Sequence, residues 1–477
     1  MKKFLLLVVL VAHTISAQII SKDNTFASNG IHSITGNIAW SKMIQSSNGS
    51  IYFTYAKNNP ATGLSETILS KLNPDGTTDS SFGNTGVVTI VYYSNDSQMK
   101  VQPDGKLLLY CFDSDASTNY AIIIRILPNG QLDGTFGING VVKIPDLNPD
   151  LDARGYGLVL QNNKIIIYGQ RTIIPLQDSS GKICRLNENG SIDNTFGNNG
   201  YINNFSSFIL VDIDSQSNLV CFGYNKIDTV NETYVGAIAK YNNNGQPLTN
   251  FGNNGVSNLA FNPGYIQSSI LDSNNHIIFS KFDPNAAGSL NKINSDGTFD
   301  ASFVTNFNSS FPFLIDVLSI VEKNGYYYLG GMSYEQNNGE YFISRLTQNG
   351  TQEPVFNHFI ETDPNLKTVG DMIVNDNNII ANGSGYIVRY LLSTSTLSTK
   401  DITKITHDIS FENPVKQNLI FSTKEKVSKI EIYSVDGKIV KTLKDNNTDL
   451  SELLKGNYLS KITFENGKTT VKKLIKK

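Results

Sequence analysis

Cysteine, tryptophan and methionine are nearly missing from this 477-residue chain, which holds three, one and five of them. Cys111, Cys184 and Cys221 lie in the apolar runs LLLYCF, KICRL and NLVCFG. An odd count inside strand-like runs makes no disulfide framework, so all three are expected to be buried free thiols acting as small apolar residues. Histidine is sparse too. His32, His276, His358 and His407 are scattered, never in HxH or HExxH spacing, and point to no zinc site. No GxSxG is present, nor a glycine-rich phosphate loop that follows a strand and opens a helix. Paired carboxylates for polysaccharide cleavage are invisible in sequence, so an enzyme stays open as an alternative. No stretch beyond the first residues reaches the length of a membrane helix, and no helical period shows anywhere.

Charge is low at 17%, with a formal net of −3. It is unevenly spread: residues 401–477 hold 15 Lys, no Arg and 10 acids, which leaves −10 for residues 18–400. The mildly acidic larger part argues against a nucleic-acid or anionic-lipid partner. At the N-terminus, Lys2 and Lys3 precede the apolar Phe4 to Ala12 and the small-residue site Ile15-Ser16-Ala17. This is the pattern of a signal peptide over residues 1–17, and it predicts export. No Cys follows to take a lipid.

What the chain does have is a period. A phenylalanine returns at Phe26, Phe82, Phe136, Phe196, Phe251, Phe303 and Phe356, at gaps of 52 to 60 residues. Each sits in one phrase, clearest in LNPDGTTDSSFGNTGVV (Leu72 to Val88) and LPNGQLDGTFGINGVV (Leu127 to Val142). A steady period of this length means one supersecondary unit copied along the chain. Within a unit, four short β-branched and aromatic runs alternate with Gly, Asn, Asp and Pro turns. Triplets such as Leu107-Leu108-Leu109 and Ile165-Ile166-Ile167 suit strands buried on both faces. Four strands per unit of this size predict an all-β, seven-bladed β-propeller over residues 18–392, with N-terminal strands near Ile19 to Ser33 completing the last blade. An open β-solenoid is the rival.

The phrase resembles the delta-60 repeat, an uncharacterised bacterial repeat family of pattern DGxLDxxFGxxG. Asp75-Gly76, Asp79, Phe82-Gly83 and Gly86 carry the likeness, with departures at Leu248 and in the later copies, which lose the Gly after Phe. The family label implies nothing about activity. After a Ser/Thr-rich linker, residues 393–406, the strand idiom changes. Residues 407–477 resemble the type A C-terminal sorting domain of the type IX secretion system. The likeness rests on Asn413 and Pro414, on Asp436 and Gly437 closing a strand, on Gly456 and Tyr458 in DLSELLKGNY, and on a last strand with Lys472 and Lys473. The resemblance implies recognition by that secretion machinery and release or attachment at the cell surface. The stretch is long enough for a small Ig-like β-sandwich.

Several side chains are candidates for function. A cation recurs once per repeat: Lys71, Arg125, Arg185, Lys240, Lys292, Arg345 and Arg389. A ring of them would suit an anionic ligand in a central channel. Pairing with the acid three before each Phe is the competing and preferred reading, since Asp23, Asp79, Asp133, Asp193, Asp300 and Glu353 supply six of seven. Phe82, Phe136, Phe196 and Phe251 are expected to wedge the repeat core. Tyr326, Tyr327, Tyr334 and Tyr341 cluster in the sixth repeat and are candidates for a surface that takes protein or glycan, unless the Tyr triplet is a buried strand. Turn oxygens at Asp75 and Asp113 could feed calcium, but they serve Asx turns equally, and no cofactor is expected. The expected protein is a monomeric, exported, non-enzymatic binding module.

Overall fold

The computed structural model describes residues 18–34, 42–58, 65–92, 98–114, 119–144, 147, 156–173, 178–228, 233–260, 264–281, 290–334, 339–354, 356, 358–394, 410–423, 426–434, 438–444, 448–465 and 469–477. The expected signal peptide, most of the linker, Asp436 and Gly437 lie outside these. The chain forms two compact units, Met1–Ser395 and Thr396–Lys477.

In the first unit the turns dictate the strands. Pro103-Asp104-Gly105 places Gly105 at φ +83°, and the Gly105 N–H bonds the Gln102 carbonyl at 2.9 Å. A left-handed turn residue of this kind returns the chain antiparallel at no Cβ cost. Met99–Val101 therefore pairs Leu107–Ser114, which pairs Asn119–Ile126, which pairs Val141–Ile144. The same up-and-down order recurs, giving seven antiparallel sheets in this unit among the described residues. The first strands, Met43–Gln45, Met99–Val101, Gly157–Gln161, Ser207–Ile213, Ile266–Leu271, Ile315–Lys323 and Asp371–Val374, touch in succession, and the seventh touches the first again. Asp371 fastens that last contact by accepting the Met43 N–H at 2.9 Å.

The apolar core lies between neighbouring sheets rather than within each one. Tyr110, Ile123 and Phe136 of the second sheet pack with Leu158, Ile167 and Cys184 of the third. Phe26, Ile380 and Ile387 pack with Ile51, Phe53 and Leu72, joining the seventh sheet to the first. Each such side chain gains roughly 1.5–3 kcal/mol from burial. All three cysteines are buried and free, and burial pushes the Cys184 thiol up to about 12. As expected, Gln18–Lys22 and Ile31–Ser33 pair with Tyr386–Thr394 and complete the seventh sheet.

One expectation fails. The sequence shows no helical period, yet Ala301–Ser310 is an α-helix, and the fifth sheet has three strands among the described residues. Gly83, Gly137, Gly197 and Gly252 follow their Phe at φ between +52° and +57°. Val304 stands at that place in the fifth copy and is β-branched, so the left-handed turn is closed to it. The chain stays right-handed, Asp300 caps it by accepting the Phe303 N–H at 3.0 Å, and Phe303 and Phe307 are buried one turn apart.

The second unit holds a four-stranded antiparallel sheet in the order Ile439–Lys444, Val427–Tyr433, Gly456–Phe464, Thr469–Lys476, and a two-stranded one, Ser410–Phe411 with Phe421–Ser422. Its core is its own: Val415, Leu419, Ile430, Ile432, Leu443, Ile462 and Leu474.

Candidate functional site

The repeated cations turn out to be latches between sheets. Arg125 Nε donates to Asp133 Oδ2 at 2.8 Å, and its guanidinium lies 4.5 Å from the Phe136 ring centre. Its NH1 reaches forward to the Glu188 carbonyl in the next repeat. Asp133 is fully engaged, since Oδ1 accepts both the Thr135 N–H and its hydroxyl. Burial pushes the Asp133 carboxyl up, but the Thr135 hydrogen bonds, Arg125 and Lys106 outweigh it and hold it at about 2.

The pair recurs in Lys71–Asp79 (2.9 Å), Arg185–Asp193 (2.9 Å), Lys292–Asp300 (3.6 Å), Arg345–Glu353 (2.8 Å) and Arg389–Asp23 (2.8 Å). The forward reach recurs from Arg389 to the Pro74 carbonyl, Lys71 to Pro128, Arg185 to Asn243, Lys240 to Ser295 and Lys292 to Gln348. In the fourth copy, with Leu248 in place of the acid, Lys240 keeps its ring contact and carbonyl, and burial draws its ammonium below the ordinary range. The turn glycine of the next copy sits on the preceding Phe or its turn: a Cβ on Gly190 would meet Phe136 Cε2 at 3.0 Å and Val142 Cγ2 at 2.6 Å, and one on Gly130 would meet Gly83. The phrase is therefore spelled by a sheet-to-sheet joint.

None of the seven cations lines the cavity enclosed by the first strands. That cavity has a volume of about 380 Å³ and is lined by Lys42, Gln98, Lys100, Asp212, Gln267, Ser268, Ser269, Ser319 and Asp371, with Ile209, Leu318 and Ile320 among its apolar neighbours. Asp212 Oδ1 accepts the Ile213 N–H at 2.8 Å. Burial raises its carboxyl above the ordinary value, against the pull of the Ile213 N–H and of the Lys100 charge. Sequence reasoning missed these residues because they are not repeated. The available signal was a charge inside a short apolar strand, as in Met99-Lys100-Val101.

The tyrosine candidates need correcting. Tyr327 and Tyr341 are 0% and 1% exposed, so neither presents a surface. The triplet is a strand covered on both faces: Tyr327 donates to Asp272 Oδ2 at 2.5 Å in one core, and Tyr328 and Tyr341 pack in the next. Tyr326 is half-buried beneath the Arg345 guanidinium at 4.6 Å. Tyr334, half-buried, stands just past the end of its strand. Of the wedge residues, Phe82, Phe136 and Phe196 are fully buried and Phe251 is partly so.

In the second unit, Asn413 Nδ2 donates to the Lys473 carbonyl at 2.9 Å, and Asn413 Oδ1 accepts the Ile475 N–H at 2.8 Å. Pro414 follows it, and Gly456 opens the strand whose Tyr458 hydroxyl bonds the Leu454 carbonyl. Lys472 and Lys473 are exposed on the last strand.

Comparison with known proteins agrees with this division. Residues 411–477 match the family described as secretion system C-terminal sorting domain. Residues 102–136 and 160–196 match a beta-propeller domain of unknown function, DUF5122. The chain is thus an all-β protein with a propeller domain and a type IX sorting tail, and the tail implies secretion and an interaction with the secretion machinery. Among the described residues no helix is long and apolar enough to cross a membrane. No curated protein matches the chain. Among solved structures it is similar to the Pyrococcus horikoshii acylaminoacyl peptidase, at 10% identity and TM-score 0.41, over 89% of this chain and 58% of that one. It is also similar to the beta-propeller domain of the Trilobed protease from Pyrococcus furiosus (10%, 0.39, 72% and 89%) and to polysaccharide lyase Uly1 (10%, 0.44, 77% and 92%). The chain spans just over half the length of the peptidase it matches.

Proposed function

We propose that the protein is a secreted or cell-surface seven-bladed propeller of delta-60 repeats that binds an extracellular protein or glycan without chemical turnover. In this reading residues 1–17 direct it to the periplasm, and the Ig-like C-terminal unit carries it outward through the type IX machinery. One contrast carries the binding role. The repeated charges are consumed between sheets, whereas Lys42, Lys100 and Gln267 Oε1 in the cavity among the first strands have no side-chain partner among the described residues. Polar groups left open in a concave site are a recognition surface. The half-buried Tyr334, just past its strand, is kept as a candidate contact for the partner. A screen of the purified protein against extracellular glycans and secreted proteins should give saturable binding that Lys100→Ala weakens. Absence of any hit would remove the reading.

The alternative is a secreted polysaccharide-degrading enzyme with its site at the mouth of the channel. The raised Asp212 carboxyl favours it, because a half-buried carboxyl held above its ordinary pKa can act as a general acid. Its partner carboxylate would be Asp371, which is already engaged by the Met43 and Met372 N–H groups. Release of reducing or unsaturated ends from bound glycans, abolished by Asp212→Asn, would support the enzyme over the binder.

A further inference from the structure

The cavity among the first strands brings cationic, anionic and uncharged polar side chains together. Lys42 and Lys100 bring two ammonium groups, and neither makes an ion pair or side-chain hydrogen bond among the described residues. Asp212 uses Oδ1 on the Ile213 N–H, while its Oδ2 has no hydrogen-bond partner there. Gln267 Oε1 is buried and unpartnered, and Ser269 also belongs to the lining. An unmet buried acceptor is costly, a ligand that pairs it recovers that cost, and the two ammonium groups offer such a ligand a counter-charge.

The mixture of signs selects the ligand. An inorganic dianion would meet the ammonium groups but be repelled by Asp212. A cation would suffer the reverse. A neutral sugar would satisfy Asp212 and Gln267 and leave both lysines unpaired. A molecule with one carboxylate and several hydroxyls satisfies all of them. We propose that this cavity is a binding site for a polyhydroxylated carboxylate, the chemistry of a uronic-acid sugar, with Lys42 and Lys100 on the carboxylate and Asp212 and Gln267 accepting from hydroxyls. The volume of about 380 Å³ falls at the lower end of small-ligand pockets, roughly 300–1,000 Å³, which suits one or two sugar rings rather than a protein segment. This inference deepens the binding reading above and rests on it.

Titration calorimetry on the full chain tests it with D-glucuronate, D-glucose and a tetramer of D-galacturonate. Glucuronate should bind about tenfold or more tightly than glucose. Lys100→Gln should remove that preference by weakening glucuronate alone, while Asp212→Asn should weaken both sugars. An unchanged unfolding midpoint in each variant excludes misfolding as the cause. A tetramer tighter than the monomer assigns the site to the end of a polymer, and a weaker tetramer assigns it to the free sugar. Equal affinity for glucose and glucuronate, no heat with any of the three, or a Lys100→Gln variant that binds glucuronate normally overturns the proposal. If protein or glycan ligands from the extracellular screen still bind in excess glucuronate, this inference falls and the binding module stands.

Discussion

Arg389 Nε donates to Asp23 Oδ2 at 2.8 Å, although 366 residues separate the two. The cation comes from the last copy of the repeat and the acid from the first, so the joint that elsewhere links neighbours in sequence here links the two ends of the array. Arg389 also stacks on Phe26 at 4.6 Å and bonds the Pro74 carbonyl at 2.6 Å. One side chain thus ties the N-terminal strands, the seventh sheet and the first sheet together.

Removing either partner leaves the other without its counter-charge in a part-buried site, which costs about 1–3 kcal/mol. Asp23→Ala and Arg389→Ala should each lower the urea midpoint by a corresponding amount. The double variant should lose clearly less than the sum, because both changes break one interaction. Additive losses would mean that the two ends are not coupled through this pair.

The wedge can be separated from its loop by two neighbouring substitutions. Phe136 is fully buried, and Phe136→Ala should cost about 3–5 kcal/mol in chemical denaturation. Ile138, in the same turn but 81% exposed, should change stability by less than about 0.5 kcal/mol when made Ala. Gly190→Ala, at φ +88° and pressed on the Phe136 ring, should destabilise by more than about 1 kcal/mol. Equal shifts for Phe136→Ala and Ile138→Ala would remove the phenylalanine from its role.

How much of this was legible follows from what is local. The Phe, its acid and the turn glycines lie within a few residues and repeat, so the phrase announced both the period and the structural pairing of the cations. The helix was hidden because its cause is one β-branched residue at the turn position, Val304, rather than any apolar stripe. Tyr327 and Tyr341 were misplaced because a strand between two other sheets buries both faces, and no alternation then marks the outside. Lys42, Lys100, Asp212 and Gln267 were unreadable for the opposite reason. They come from first strands that converge only when seven distant copies close on one another, and each occurs once.

His358 gives the protein a pH dependence that does not involve the latches. Its ring stacks on Phe342 at 5.2 Å and meets the edges of Phe311 and Phe313, and neither ring nitrogen has a partner among the described residues. Burial lowers its pKa from 6.5 to about 4. The unfolded chain therefore binds the proton first. Stability is complete above about pH 6.5, falls by roughly 2–3 kcal/mol as pH drops to about 4, and levels below it. Asp133 and Asp193, held at about 2 against 3.8, lose their contribution in a separate window below that, as pH falls from 3.8 to 2. Melting curves of His358→Phe should lose most of the slope between pH 6.5 and 4, keeping only the share of His32, whose pKa burial also lowers, with the acid window unchanged. A wild-type slope persisting in that variant would assign the upper window to another group.

The C-terminal unit should be a passport, separable from the working part. The compact units divide between Ser395 and Thr396, so removing residues 401–477 cuts no sheet of the first unit. The truncated protein should fold with an unchanged midpoint and accumulate in the periplasm, because it has lost the sorting tail matched over residues 411–477. Fused behind a signal peptide and a reporter, residues 401–477 should carry the reporter outside the cell. Asn413→Ala offers a finer test. Its side chain fastens the start of the unit to the last strand through the Lys473 carbonyl and the Ile475 N–H, so its loss should slow export while leaving the propeller's stability untouched. Normal surface or medium levels of the truncated chain would sink the assignment, since the protein would then be reaching the outside by a route that does not read this domain.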